Sequence, residues 1–449
     1  MKKFISYFLT LFLSICLFSA CSSPKNSGDS TTPPEATTVF FESTAYGALT
    51  GKTTATKIKN AGAQVEYATS DPTVATVDEH GVITGVSKGE VTLTAKAVST
   101  VTQQTETAQT KVFVDFGGVY QTLTGNEDFV KWTGRTFFAA DTMNCFNTAS
   151  GFEVEFYGTK LAVLAESAGT VTPQLTVLVD DETDPSYRVI SLGKTGEKMY
   201  TLISGLQEGV HLVRVYNIVE PYYANVAFGQ IITDGYFTSR PADKDLKIEA
   251  YGDSITAGWK NMRDTTLEPE SLDKAENGCM TYAWLAAQAL NADINVFARS
   301  GVGLYQSLGN APFTLQTNYA SSVASEINHL NRQIPKWDFS SFIPDIVLIN
   351  IGTNDVTVGY NFSTYYQQLK TFAEQILIRY GEQTKIILCY NAMTGKNEDV
   401  TKAVADALTQ EGKSVFAYKI KRAVYGHPDK NEHKDAAIRL TSFIQNRVL

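Results

Sequence analysis

Leu246-Lys247-Ile248-Glu249-Ala250, running into Tyr251-Gly252-Asp253-Ser254-Ile255-Thr256-Ala257-Gly258, is the stretch on which the fold turns. Its first half reads as a short buried strand, and Gly252 permits a tight turn out of it into a helix. A serine just past such a strand sits where an open α/β sheet places its ligands, outside the carboxyl ends of the strands. The competing role for Asp253 or Ser254 is capping, in which a side-chain oxygen satisfies an orphan N–H at a helix start. What the rest of the chain supplies decides between a reacting hydroxyl and a cap.

Downstream, short apolar runs alternate with amphipathic stretches. Ile248 to Tyr251, Ile294 to Ala298, Ile346 to Ile351, Ile386 to Tyr390 and Val415 to Tyr418 read as strands buried on both faces. Tyr282 to Leu290, Tyr365 to Tyr380, Val400 to Gln410 and His433 to Arg447 read as helices between and after them. This order predicts a three-layer α/β domain with a mainly parallel sheet over 244–449. Three small-residue blocks follow strands: Gly252-Asp253-Ser254, the Gly301 loop in Arg299-Ser300-Gly301-Val302-Gly303, and Gly352-Thr353-Asn354-Asp355. Gly426-His427-Pro428 completes the set.

The chemistry of acyl transfer needs these residue types. A serine hydroxyl is protonated at neutral pH, so a base must take its proton during attack. His427 is the candidate base, because one imidazole can accept that proton and return it to the leaving alkoxide. His433 is the competing imidazole; it opens a helix-like run and reads as a polar first-turn residue. His80 and His211 fall in β regions, His211 inside a strand pattern, and His329 lies between Asn328 and Asn331. The developing oxyanion needs fixed donors, and Ser254 N–H, Gly301 N–H and the Asn354 amide are suited to the task. Asn354 alternatively serves an Asx-type turn, and Asp355 reads as a brace for its loop.

The four blocks, in this order, resemble those of the SGNH hydrolase superfamily, which implies Ser254 as nucleophile, His427 as base, and Ser254, Gly301 and Asn354 as oxyanion donors. The chain departs from that pattern in one place. Most members carry an Asp three residues before the histidine, and family 2 esterases often carry it two before; here Val424 and Tyr425 stand there. The resulting expectation is a Ser-His dyad in which a backbone carbonyl holds the imidazole tautomer, and the alternative is that Asp429 folds back to serve.

A second all-β region, 116–238, offers Phe152, Val154, Phe156, Leu175, Val177, Val179, Val210, Leu212, Val213 and Val215 as inward candidates, consistent with a jelly-roll-like sandwich. Trp132-Thr133-Gly134-Arg135-Thr136-Phe137, Ser150-Gly151-Phe152-Glu153-Val154 and Phe156-Tyr157-Gly158-Thr159 resemble the N-terminal sandwich of carbohydrate esterase family 2. Gly278-Cys279-Met280-Thr281-Tyr282-Ala283-Trp284-Leu285-Ala286 extends that resemblance into the α/β domain. It implies removal of acetyl groups from plant polysaccharides such as xylan and glucomannan, often at the 6-hydroxyl, with no cofactor and no metal. Trp259, Tyr305 and Tyr360 are candidate sugar contacts.

Ahead of these lies a third β region, 37–115, in which Val91, Leu93, Ala95 and Ala97 alternate with Thr92, Thr94 and Lys96, and Asp78-Glu79-His80-Gly81 supplies a hairpin turn. Tyr67 to Asp78, Gly81 to Gly85 and Gly89 to Leu93 resemble the bacterial Ig-like group 2 module, which implies an Ig-like sandwich used as a spacer or adhesion unit. Ser239 to Asp243 reads as a polar, proline-bearing hinge.

At 449 residues the chain exceeds one ordinary core. A hydrophobic content of 43%, a charged content of 19% and a net charge of −9 describe folded material and argue against a nucleic-acid partner. Met1-Lys2-Lys3 and the apolar run to Phe18 read as a signal segment over 1–20, too short to span a membrane comfortably. Phe18-Ser19-Ala20-Cys21 resembles a lipobox, which implies a lipid on Cys21 and anchoring at the outer membrane surface or the periplasmic face. Residues 21–36, rich in Ser, Thr and Pro, read as a flexible tether. Cys145, Cys279 and Cys389 read as buried small hydrophobes rather than a disulfide framework.

Two rival functions share these features. One is a surface carbohydrate-binding or adhesion lipoprotein with a decayed site. The other is an SGNH esterase for a different acyl ester, such as a lipid, a thioester or a sialic acid acetate. The polar, acidic insert from Lys260 to Asn277 has no apolar lid of the kind a lipase exposes.

Overall fold

The computed structural model describes residues 38–43, 45–115, 129–263 and 275–449. The signal, lipidation and tether readings at 1–36, including Cys21, lie outside the described residues, as does most of the polar insert after Lys260.

Between Phe40 and Val114 the chain is built from strands and turns. Gly89–Ser99 pairs antiparallel with both Thr105–Val114 and Ala61–Thr69, and Ala45–Ala48 adds to the outer side in parallel. Val91, Leu93, Ala95 and Ala97 are all buried, as a two-residue period demands of a half-covered strand. Asp78 to Gly81 does form the turn joining Ala75–Val77 to Val82–Gly85. Asp78 Oδ1 accepts from the His80 and Val82 amides there, and Gly81 adopts φ +75°.

The second β region is organised on one long strand, Gly151–Gly169, which pairs with Thr195–Asn217 and with Ala224–Thr233. Phe152, Val154, Phe156, Leu175, Val177, Val179, Val213 and Val215 form its core. Val210 departs from the expectation: it is 56% exposed. It sits opposite Tyr157 and three residues before Val213, so the alternation that turns Val213 and Val215 inward turns Val210 outward. Leu212 is only half-buried, since adjacent strand residues such as Leu212 and Val213 point to opposite faces. A single bridge, Ser239 to Tyr46, joins the two β regions into one 13-stranded sheet.

The segment read as a hinge is pinned. The Arg240 amide donates to Ser43 Oγ, and the Ala242 carbonyl accepts from Lys131 Nζ at 2.9 Å.

Beyond it, five strands form a separate sheet: β1 (Leu246–Gly252), β2 (Ala292–Ala298), β3 (Ile346–Asn350), β4 (Lys385–Tyr390) and β5 (Val415–Lys419). Their order is β2-β1-β3-β4-β5, and every pairing is parallel. Alternation along β1 sends Ile248 and Ala250 into one core and Tyr251 into another, so both faces are covered. Helices Tyr282–Ala289 and Lys430–Arg447 pack on the first face; Phe362–Tyr380 and Glu398–Gln410 pack on the second. This is the expected three-layer arrangement, and the strand order reverses at β1, opening a crevice at its carboxyl end. Cys145, Cys279 and Cys389 are buried free thiols.

The two last-mentioned parts are locked by a charge. Arg135, in the turn after strand Val130–Thr133, is wholly buried and donates through Nε to Glu249 on β1 at 2.9 Å. Its Nη1 serves the carbonyls of Tyr319 and Ser321 at 2.6 and 2.8 Å, and its Nη2 reaches the Tyr251 hydroxyl. The guanidinium lies 4.5 Å from the Phe297 ring centre. Every donor direction is matched, which is what allows a guanidinium to be held away from water. Arg135→Met would leave the Glu249 carboxylate buried without its cation, and the expected loss is about 3–5 kcal/mol of stability. Urea unfolding followed by tryptophan fluorescence checks it; a midpoint equal to the parent's would contradict the lock.

Candidate active site

Asp253, not Ser254, caps the helix that follows β1. Its Oδ1 accepts from the Ile255 amide at 3.0 Å, which leaves Ser254 as the first helical residue with its hydroxyl uncommitted to the backbone. Gly252 is required by crowding: a Cβ there would fall 2.1 Å from Thr256 Oγ1. The Asp253 carboxyl is buried, and burial pushes it up to about 7.

Ser254 Oγ lies 2.7 Å from His427 Nε2. Four hydrogen bonds and one ring contact hold the histidine loop in place. Glu432 accepts from the Val424 amide with one carboxylate oxygen and from the Asp429 amide with the other, closing the loop on the helix below. Arg263 Nη2 donates to the carbonyls of Tyr425 and His427, at 2.8 and 2.5 Å. The Trp259 ring centre stands 4.5 Å from the imidazole, and Lys260 Nζ stands 4.6 Å from that indole. Gly426 takes φ +72°, a left-handed turn that a side chain would strain.

Burial, with the Arg263 and Lys260 cations adding to it, lowers the His427 imidazole to about 4. Among the described residues neither a carboxylate nor a carbonyl bonds its Nδ1. The carbonyl acceptor expected from sequence is therefore not seen there. Asp429 does not fold back either; it is the N-cap of Lys430–Arg447, accepting from the Asn431 and Glu432 amides in a reciprocal capping box. Val424 and Tyr425, where an acid was looked for, are 71% and 74% exposed.

The other two blocks meet each other. Asn354 Nδ2 donates one proton to the Val302 carbonyl at 2.6 Å, and among the described residues its second N–H has no acceptor. Asp355 braces the neighbouring loop as expected, accepting from the Leu304, Tyr305 and Gln306 amides at 2.8, 3.1 and 3.0 Å. Gly301 sits at φ +76° at the head of that loop. Among the described residues the amides of Ser254 and Gly301 have no acceptor.

The remaining candidates fall as follows. Tyr360 turns to the buried Tyr365, with its hydroxyl on the Lys396 carbonyl, and Tyr305 is half-buried near the same ring. His433 does stand in the first turn of its helix, Lys430–Arg447, but not at the surface. It is buried, its Nδ1 accepts from the Tyr282 amide at 3.1 Å, and its ring stacks on Tyr282 because the helix start is pressed against the neighbouring helix. His211 is a structural residue between Asp180 and the Gln207 carbonyl; His329 bonds the Tyr222 carbonyl. Three residues around the site were not singled out from the sequence: Arg263, Glu432 and Glu220. The last is a buried acid in Val219-Glu220-Pro221, and an acid flanked by apolar residues was the available hint.

Three segments match known families in chain order: the bacterial Ig-like domain (group 2) at 30–112, carbohydrate esterase 2 N-terminal at 132–241, and the GDSL-like lipase/acylhydrolase family at 250–418. The cellulase/esterase CelE of Acetivibrio thermocellus is 31% identical over 320 residues, which is 68% of this chain and 38% of that protein. The chain thus spans well under half the length of that relative. An acetylxylan esterase / glucomannan deacetylase of Cellvibrio japonicus is 23% identical over 332 residues, 71% of this chain and 89% of its own. Among solved structures, a family two carbohydrate esterase from Clostridium thermocellum in complex with cellohexaose superposes with a TM-score of 0.64 at 27% identity, covering 71% of this chain and 99% of that one. An acetyl xylan esterase from the rumen bacterium Butyrivibrio proteoclasticus shares the fold at a TM-score of 0.66 and 19% identity, covering 74% of this chain and 99% of that one. The chain therefore joins, in order, a segment matching the bacterial Ig-like domain (group 2), a carbohydrate esterase 2 N-terminal domain and a domain of the GDSL-like lipase/acylhydrolase family.

Proposed function

We propose that the protein removes O-acetyl groups from plant cell-wall polysaccharides of the acetylxylan or acetylglucomannan class, through a Ser-His dyad and an acetyl-enzyme. The observation that carries this reading is the 2.7 Å contact between Ser254 Oγ and His427 Nε2 beside two amides without an acceptor among the described residues. Ser254 Oγ attacks the acetyl carbonyl carbon while its proton passes to His427 Nε2. The oxygen that gains the charge is met by Ser254 N–H, Gly301 N–H and the second Asn354 N–H. His427 then gives the proton to the departing sugar oxygen, and water repeats the sequence on the acetyl-enzyme. The substrate class is supported by the acetylxylan esterase / glucomannan deacetylase activity of the Cellvibrio relative and by the cellohexaose bound in the Clostridium structure. The same reading places the enzyme outside the cytoplasm, held at the envelope by a lipid on Cys21, with the Ig-like domain as a spacer.

Acetate release from acetylated xylan and from p-nitrophenyl acetate tests the function. Ser254→Ala is expected to lower turnover by roughly 10³-fold or more. A parent protein that binds the polysaccharide without releasing acetate would make it the adhesion or binding protein instead.

Asp429→Ala separates dyad from triad. Loss of the cap is expected to cost about 1 kcal/mol of stability while kcat stays within about threefold of the parent. A fall of about a hundredfold or more at unchanged substrate affinity would reinstate Asp429 as the third member.

The pH profile gives a third check. The base must be neutral to act, and His427 is neutral above about 4. The acid limb of kcat/KM assigned to this group is expected well below the 6.5 of a free imidazole, and Lys260→Gln should move it upward by removing a cation that disfavours protonation. A limb at 6.5 that ignores this substitution would contradict the reading.

A further inference from the structure

We infer that Glu220, carried by the carbohydrate esterase 2 N-terminal domain, is a positioning residue for the oxyanion hole of the neighbouring acylhydrolase domain. The inference rests on the ester-hydrolase reading above and adds to it a requirement that the β region take part in catalysis.

Glu220 lies in the connection between strands Thr195–Asn217 and Ala224–Thr233, and its side chain is fully buried. One carboxylate oxygen accepts from the Ser300 amide and the other from the Ser300 hydroxyl, both at 2.5 Å. Ser300 immediately precedes Gly301. A bidentate acceptor on one residue fixes the N–Cα–Cβ frame from which the following peptide departs, and the amide of that peptide is the proposed oxyanion donor. The same grip occupies the Ser300 amide, so that Gly301 N–H is the one left open at this turn.

A second hold comes from the same connection. The Arg299 guanidinium centre lies 4.4 Å from the Tyr222 ring centre, and Arg299 Nη2 donates to Glu326 at 2.8 Å. The turn is thus clasped at two successive residues by two residues of the other domain.

The connection itself is anchored. The Glu220 amide donates to Glu276 Oε1 at 2.9 Å, the Gly278 amide donates to the Ile218 carbonyl, and the His329 amide donates to Asn225 Oδ1. Burial pushes the carboxyls of both Glu220 and Glu276 upward, and only hydrogen bonds and the Arg299 charge draw Glu220 back. A carboxylate held in so unfavourable a place, with Ser300 as its acceptor-matched partner, is explained by what it orients. An oxyanion donor turned by a small angle or displaced by an ångström loses its worth, since such donors act only in the geometry of the transition state.

The test uses the full chain. The parent and Ser254→Ala first establish turnover of p-nitrophenyl acetate and its dependence on the serine. Glu220→Ala is then expected to lower kcat by about 10- to 100-fold with KM within about threefold, because the donor acts on the transition state more than on bound substrate. Glu220→Gln should recover most of the loss, since its carbonyl still accepts the Ser300 amide while its amino group donates to the Ser300 hydroxyl. Ser300→Ala, which removes one of the two bonds without opening a large cavity, should lower kcat by about 3- to 10-fold, and its effect should vanish in the Glu220→Ala background. Should Glu220→Ala fail to fold, Ser300→Ala and Glu220→Gln decide. An active parent whose Ser300→Ala and Glu220 variants keep the parental kcat overturns this inference alone. A parent without serine-dependent turnover overturns the hydrolase reading and takes this inference with it.

Discussion

The contact between Ser254 Oγ and His427 Nε2 joins residues 173 positions apart, and the fold exists around that separation. Neither side chain is placed by its own neighbours in sequence. Ser254 is set by β1, which lies between β2 and β3 where the strand order reverses, so its loop faces a crevice with other loops on both sides. His427 sits beyond β5, at the far edge of the sheet, and its loop returns to the crevice because Glu432, Arg263 and Trp259 draw it there. A hydroxyl that served as a helix cap would be spent on the backbone. Asp253 takes that duty one residue earlier, and the division between the two residues is what makes a serine at a helix start available for chemistry.

Electrostatically the site is unusual in one respect. A histidine base is ordinarily supported by an acid that favours its cationic form, whereas here burial and two nearby cations oppose it. The imidazole is thereby kept neutral and ready to accept a proton at any ordinary pH, but the cation formed in the transition state gains less help. In the proposed mechanism the weight of catalysis then shifts to the donors around the oxyanion, and the loops that carry them are each held by several contacts. Asp355 holds three consecutive amides of one loop, Asn354 ties itself to Val302, and Glu220 holds Ser300.

Much of this was legible in the chain because it is local. The strands of the parallel sheet announce themselves as apolar runs, Gly252 and Gly352 mark turns crowded by neighbouring atoms, and Gly301 marks one that takes a left-handed conformation. The helices began earlier than their apolar pattern: Phe362–Tyr380 starts at a cap on Asn361, and Lys430–Arg447 at the Asp429 box, before the first buried position of either. A polar first turn satisfies backbone amides without contributing to the period, so pattern reading enters such helices late. Asp429 illustrates the same point from the other side. Its position near His427 suggested a catalytic acid, yet Asp followed three residues later by Glu is a helix-start signature, and the cap prevailed. Val210 failed for a different reason: it lies an odd number of residues from Val213 and Val215 and so shares the outward face with Leu212. Arg135, Glu220 and Arg263 act across domains or between distant loops, and sequence spacing holds no trace of such partners.

These distant contacts bear on what the catalytic unit is. Arg135 reaches from the β region to Glu249 and Tyr251, the strand residues that immediately precede the nucleophile turn, while Glu220 and Tyr222 reach from the same region to Arg299 and Ser300. Two of the loops that form the crevice are thus held on one side by a domain that contributes no reacting atom. A buried charge is costly to place and weak as a general stabiliser, but it is unforgiving of misplacement, since a partner moved by an ångström leaves it unpaired. Charges of this kind fix geometry where apolar packing would permit sliding. The acylhydrolase fold supplies the loops, and the neighbouring β domain supplies the fixed points against which those loops are aligned, so the smallest piece of the chain able to hold the proposed oxyanion donors in place includes both.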